Sequence, residues 1–139
     1  MIIQVNIKQI GKKKAKVSGM SFHLENKPLT VRELIKESVH TCVTEYNERV
    51  RRGEFCKPLS EEEIEDMASV GKIAFGINYG GKEADEGKAI ENALLGYEDG
   101  LFRIFIGDEA AGDLDDEIHI EENSEVTFIR LVMLSGRMW

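Results

Sequence analysis

One apolar stripe at helical spacing constrains this chain more than any other feature. Leu34, Ile35, Val39, Cys42, Val43, Tyr46 and Val50 return every three or four residues, which lines one face of an α-helix. Thr30 followed by Glu33 forms a capping box ahead of the stripe, the hydroxyl and the carboxylate each taking an end N–H. Arg49, Arg51 and Arg52 stand in the last turns, where the helix dipole favours cations, and Gly53 is a stop. The pattern predicts a helix from about Val31 to about Arg51. A helix with one apolar face needs a second apolar surface to lie against.

The two ends of the chain provide that surface. Ile3, Val5 and Ile7 alternate with Gln4, Asn6 and Lys8, and Met20, Phe22 and Leu24 alternate with Ser21 and His23. Period two marks half-buried strands, and two such runs around a polar break predict a β-hairpin with Gly11, Lys12, Lys13 and Lys14 near its tip. Near the other end, Leu101 to Ile106 is apolar except for Arg103. Ile118 and Ile120 flank His119 as a short strand, Glu122-Asn123-Ser124 reads as a turn, and Val126 to Leu134 is interrupted only by Thr127 and Arg130. A long apolar strand is usually central, and this last one is expected to run parallel to the first.

Between these ends lies an insert of about 54–99. Ser60 and Glu63 repeat the capping-box spacing before Ile64, Met67 and Ala68, and Gly71 is a candidate stop. Residues 72–82 read equally as strand or packed loop. Asp85 is a candidate N-cap for a helix whose face is Ala89, Ile90, Ala93, Leu94 and Tyr97, with Asp99-Gly100 as its stop. A length of 139 residues suits one domain, 1–139, and the 42% hydrophobic share is enough for one core.

Charge narrows the function classes. With 26 acidic against 18 basic residues the formal net charge is −8, a poor basis for non-specific binding of nucleic acid. No apolar run reaches the roughly 20 residues of a membrane helix, and no charged-then-apolar leader opens the chain. The expectation is a soluble cytoplasmic protein without nucleic-acid or membrane partners. Cys42 and Cys56 are read as reduced thiols, a single bridge between them being the alternative. Neither they nor His23, His40 and His119 have zinc-ligand spacing.

The stretch Phe102-Arg103-Ile104-Phe105-Ile106-Gly107-Asp108, then Leu114, then Ile118 to Ile120, then Asn123-Ser124-Glu125-Val126-Thr127-Phe128-Ile129 resembles the C-terminal half of ubiquitin-like β-grasp proteins. It is most similar to the sulfur-carrier branch, the small subunit of molybdopterin synthase and the thiazole sulfur carrier. The resemblance covers about Met1 to Arg51 and Leu101 to Gly136. It implies an α+β fold: a β-grasp mixed sheet covered by one long helix, here with a helical insert before the third strand. It also implies a carrier or modifier activated at a C-terminal glycine. Sulfur carriers end in two glycines, whose lack of side chains lets the tail thread into an activating enzyme. Here one glycine, Gly136, follows Ser135 and precedes Arg137, Met138 and Trp139, so that activity requires processing after Gly136.

Gly76, Gly81 and Lys82 match the G-x-x-x-x-G-K part of a phosphate loop, but Glu83 stands where Ser or Thr would bind Mg²⁺. Between Arg103 and Arg130 there are nine acids and no Lys or Arg, read as a solvated loop or a Ca²⁺ or Mg²⁺ cluster. No nucleophilic or acid–base constellation can be composed from the residues, so no catalytic residue, cofactor or resident metal is expected. The principal expectation is a non-enzymatic module that binds another protein, with Lys12, Lys13, Lys14, Gly136, Arg137, Met138 and Trp139 as candidate contacts. A carrier processed at Gly136 and a small nucleotide binder are the alternatives. A basic hairpin tip and an acidic segment after Ile106 also permit a homo-oligomer held head to tail.

Overall fold

The structure is a computed structural model that describes residues 1–10, 16–52, 71, 74–77 and 84–131. The alternating N-terminal runs form strands β1 (Ile2–Ile10) and β2 (Lys16–His23), paired antiparallel with Ile3 opposite Phe22 and Val5 opposite Met20. The apolar stripe forms helix α1 (Val31–Arg51). Helix α2 (Glu86–Glu98) follows, with Asp85 as its N-cap accepting from the Lys88 N–H at 3.1 Å. Asp99 ends α2 and Gly100 takes φ +76, as the Asp99-Gly100 stop predicts.

Three strands complete the sheet: β3 (Phe102–Ile106), β4 (Glu109–Ala110) and β5 (Glu125–Leu131). The order is β2-β1-β5-β3-β4. β1 and β5 are parallel, with Val5 opposite Val126 and Ile7 opposite Phe128, and β5 pairs antiparallel with β3. The chain is therefore α+β with a five-stranded mixed sheet. The expected parallel return of the last strand to the centre beside the first is observed.

Alternation puts Ile3, Val5, Ile7, Phe22, Phe102, Ile104, Val126 and Phe128 on one side of the sheet, all at 0–1% exposure. Leu34, Ile35, Val39, Cys42 and Val43 of α1 close that face, because helix spacing gathers them on one stripe. Phe75 extends the cover with edge-on ring contacts to Phe128 (5.1 Å) and Phe102 (5.4 Å). Ala93 of α2 is buried against the same core.

The start of α1 is tied down by neighbours. Thr30 Oγ1 accepts from the Glu33 N–H at 3.2 Å. The Glu33 carboxylate takes the Leu29 N–H at 2.9 Å, one residue further out than a capping box would place it. The Val31 and Arg32 N–H groups donate to the carbonyls of Asp116 (3.1 Å) and Leu114 (2.8 Å). These donors lie beyond the reach of intrahelical bonds, and the acidic loop that satisfies them also suits the positive end of the helix dipole.

Two expectations are corrected. Residues 118–120 are not a strand; the short strand is β4, formed because Gly107 takes φ +59 in a two-residue turn that folds Glu109 back onto Ile106. Ile118 and Ile120 are nevertheless buried, and the Ile118 N–H donates to Leu29 O at 3.0 Å. Their alternation reflects packing beneath the start of α1, where one bridge, Thr30 to Glu117, replaces a ladder. Gly71 is itself helical, as are Ala74 and Phe75, and the left-handed residue after Phe75 is Gly76 with φ +70. For 72–82, the described residues 74–77 are thus a helical turn and its exit, neither strand nor plain loop. The expected helix after Ser60 lies outside the described residues. Among the described residues no helix is long and apolar enough to cross a membrane.

Phe128 is wholly buried and touches Phe75, so Phe128→Ala is expected to cost about 4 kcal/mol in urea unfolding, whereas Thr30→Ala, a lost cap, costs about 1 kcal/mol. Equal losses for the two variants would contradict the packing described.

Candidate functional site

Strand periodicity gives the sheet a second face, to which neither α1 nor α2 contributes. Its residues are Gln4, Asn6 and Lys8 of β1, Glu125, Thr127 and Ile129 of β5, and Arg103 and Phe105 of β3. Each is the register partner of another outward position: Asn6 with Thr127, Lys8 with Ile129, Thr127 with Phe105, and Ile129 with Arg103. Lys8 and Arg103 are exposed, while Asn6, Thr127, Phe105 and Ile129 are half-buried by their neighbours in the sheet. Asn6, Lys8, Phe105, Glu125, Thr127 and Ile129, with Gly19, Gly107 and Asp108, line an open groove of about 780 Å³, whereas Arg103 lines a separate hollow with Tyr97, Glu98 and Asp113.

The middle of this face is pinned by polar contacts. Asn6 Nδ2 donates to Thr127 Oγ1 at 3.1 Å, and Asn6 Oδ1 accepts from the Gly19 N–H at 2.8 Å. One side chain thus ties together β1, β2 and β5. A partner would meet a preformed surface and would pay little ordering cost. Phe105 and Ile129 stand beside this polar row as large apolar groups open to solvent on one side. Lys8 and Arg103 flank Ile129, and neither has an ion pair among the described residues. The row continues into β2, where Lys16 is the register partner of Lys8. Glu125 and Asp108 lie at the opposite end of the groove.

The two arginines that interrupt the apolar C-terminal strands have different fates. Arg103 points outward. Arg130 shares the inner side with Phe102, its register partner, and donates to Ala74 O at 3.4 Å. Burial lowers the Arg130 pKa, and the carbonyl end of the turn at Ala74 gives the cation an acceptor.

The titratable groups elsewhere serve the fold. Cys42 is a free thiol, wholly buried, and burial raises its pKa well above the ordinary value; it acts as a small apolar side chain. Tyr97 donates to Gly112 O at 2.6 Å, and its pKa is raised by burial and by Asp113 and Asp116. Among the described residues no three His, Cys, Asp or Glu side chains are placed to hold a metal ion. The acids of 108–122 instead brace the start of α1: Asp115 pairs with Arg32 at 3.1 Å, and Asp116 Oδ2 accepts from the Asp113 N–H at 2.9 Å.

Of the residues singled out from sequence, Lys12, Lys13, Lys14, Gly81, Lys82, Gly136, Arg137, Met138, Trp139 and Cys56 lie outside the described residues. The strand ends that lead to the lysines and to the tail meet at one end of the sheet, Ile10 being the register partner of Leu131. Gly76 follows the helical residues Ala74 and Phe75, whereas a phosphate loop follows a strand. A Cβ at Gly76 would stand 3.2 Å from the Arg130 guanidinium. Sequence reading passed over Lys8, Phe105 and Ile129. The available signal was the outward phase of the same alternation that located the core. No protein-family model, curated protein or solved structure matches the chain.

His40 joins three elements. Its Nε2 is 2.9 Å from Glu25 Oε2, after β2, and its Nδ1 is 2.8 Å from Glu86 Oε1, the first residue of α2. Two carboxylates offer only acceptors, so the geometry favours the charged imidazole, in which both ring nitrogens donate. Its pKa is raised above 6.5, chiefly by the Glu25 hydrogen bond, against the opposing effect of burial. A raised folded pKa gives stability that is complete below the unfolded value and fades as pH rises through the folded one. His40→Gln should therefore lose about 1 kcal/mol relative to wild type at pH 5, with solvent screening of both glutamates already allowed for. The gap should narrow as pH passes above the raised value. Thermal unfolding across that range checks this, and a gap that widens with pH would contradict it.

Proposed function

We propose that this chain is a non-enzymatic, ubiquitin-like interaction module, a β-grasp domain that docks on another protein through the outward face of its sheet. The strand order β2-β1-β5-β3-β4, with a parallel central pair and one long helix across the inner face, supports the β-grasp reading. The preceding stretch, with α2 and the helical turn at Ala74, is then the insert. The observation that carries the docking reading is the presence of half-buried Phe105 and Ile129 in one groove, on a face held in shape by Asn6. Aromatic and aliphatic groups on a preformed surface are the usual anchors of a protein interface. Cys42, a buried and unpaired thiol, suits a reducing compartment such as the cytoplasm.

Site-specific photocrosslinking tests the docking reading in cells. A benzophenone side chain installed at Phe105 should give a discrete protein adduct, and the same group at exposed Glu91 of α2 should not. Adding Ile129→Asp should abolish the adduct while the circular dichroism spectrum is unchanged. Identical adducts from both positions, or an adduct indifferent to Ile129→Asp, would sink this reading.

A further inference from the structure

We infer that His40 is a pH-sensitive latch on the start of α2, closed when both ring nitrogens carry a proton and loosened when one proton is lost. The inference goes beyond the docking reading and does not rest on it. Its basis is the uneven attachment of α2, of which only Ala93 and Gly96 are buried. The far end of the helix is held by apolar contact. A Cβ on Gly96 would stand 3.6 Å from the Phe102 ring, and the Tyr97 and Phe102 rings are 5.6 Å apart. At the start, Ala89 and Ile90 are half covered, and two polar ties to α1 add to them. Asn47 takes both backbone groups of Ala84, accepting from the N–H at 2.7 Å and donating to the carbonyl at 3.1 Å. Two turns earlier on α1, His40 Nδ1 meets Glu86 Oε1 at 2.8 Å.

The Asn47 tie does not titrate, and the His40 tie does. The surroundings of His40 are acidic. Glu25, after β2, and Glu86 of α2 take its two nitrogens. Glu45 and Glu48 of α1 and His23 of β2 line the hollow beside it, and among the described residues no Lys or Arg does. One turn earlier on α1 stand exposed Lys36 and Glu37, whose carboxylate is taken by Asn26. On α2, Asp85 accepts from the Lys88 N–H, and the Lys88 side chain is exposed. Loss of one proton weakens the hold on Glu86 whichever nitrogen keeps the other. If Nδ1 keeps it, the bond loses the full charge that strengthened it. If Nε2 keeps it, the Glu86 carboxylate faces a lone pair. The backbone at Glu25 is pinned on both sides, the Leu24 N–H donating to Met1 O at 2.8 Å and the Asn26 N–H to Glu37 Oε1 at 3.1 Å. The lightly buried start of α2 is therefore the part that gives way. Elements with little buried surface open locally at low cost.

The test is amide hydrogen exchange by NMR on the full chain labelled with ¹⁵N, with the His40 Cε1 proton reporting its titration. Protection factors, corrected for the intrinsic effect of pH on exchange, are followed for Ala89, whose N–H donates to Asp85 O at 3.0 Å. The Ala89 factor should fall roughly threefold as pH rises through the His40 titration, a size that a half-exposed ion pair allows. Val126 and Phe128 in β5 should show no comparable step. His40→Gln should remove the step, His23→Gln should keep it, and Asn47→Ala should lower Ala89 protection at every pH while keeping it. In wild type, the midpoint of the Glu86 amide shift should coincide with that of the His40 Cε1 proton, a readout that needs no variant to fold. A flat Ala89 profile, a step that survives His40→Gln, separate midpoints, or an equal loss in β5 would each overturn the latch, and none of these outcomes bears on the docking reading.

Discussion

The parallel pairing of β1 with β5 is the constraint on which the remaining structure depends. Two segments more than a hundred residues apart in the chain meet in register, Val5 with Val126 and Ile7 with Phe128. Closing so long a loop costs entropy, and the return must come from burial. The inward apolar side chains Ile3, Val5, Ile7, Val126 and Phe128 have essentially no exposure, and each contributes on the order of 1.5–3 kcal/mol on transfer from water. β2 and β3 then need only pair with the outer edges of this central couple. α1 lies across it because, among the described residues, its stripe is the one apolar helix face long enough to cover it.

The same pairing creates the outward face. Because side chains alternate along a strand, a register that buries Val5, Ile7, Val126 and Phe128 necessarily displays Asn6, Lys8, Thr127 and Ile129. A shift of one residue would exchange the two sets and bury Lys8 in the core. Core stability therefore enforces the geometry of the outward face, and the Asn6 contacts refine it.

How much was legible in the sequence depended on how local each signal was. α1 could be read to its ends, since cap, stripe and terminal arginines all lie within one stretch and agree. The central position of β5 followed from its apolar character. β4 was misplaced because it has only two residues and owes its existence to the turn at Gly107, while the stronger alternation at Ile118 and Ile120 belongs to residues packed without a ladder. The outward face was hardest to see. Lys8, Arg103 and Ile129 are neighbours only through register across three strands, and nothing local marks them. Arg103 and Arg130 look alike as interruptions of apolar runs, yet one faces solvent and the other caps a carbonyl on the inner side.

Nuclear Overhauser contacts between β1 and β5 in the full chain test the central claim most directly. The account predicts backbone contacts linking Val5 with Val126 and Ile7 with Phe128 in a parallel pattern, with the aromatic ring of Phe128 touching side chains of α1 or Phe75. Contacts in an antiparallel pattern, a register displaced by one residue, or β5 resonances that meet no part of β1 would contradict it, and would remove the outward face together with the core.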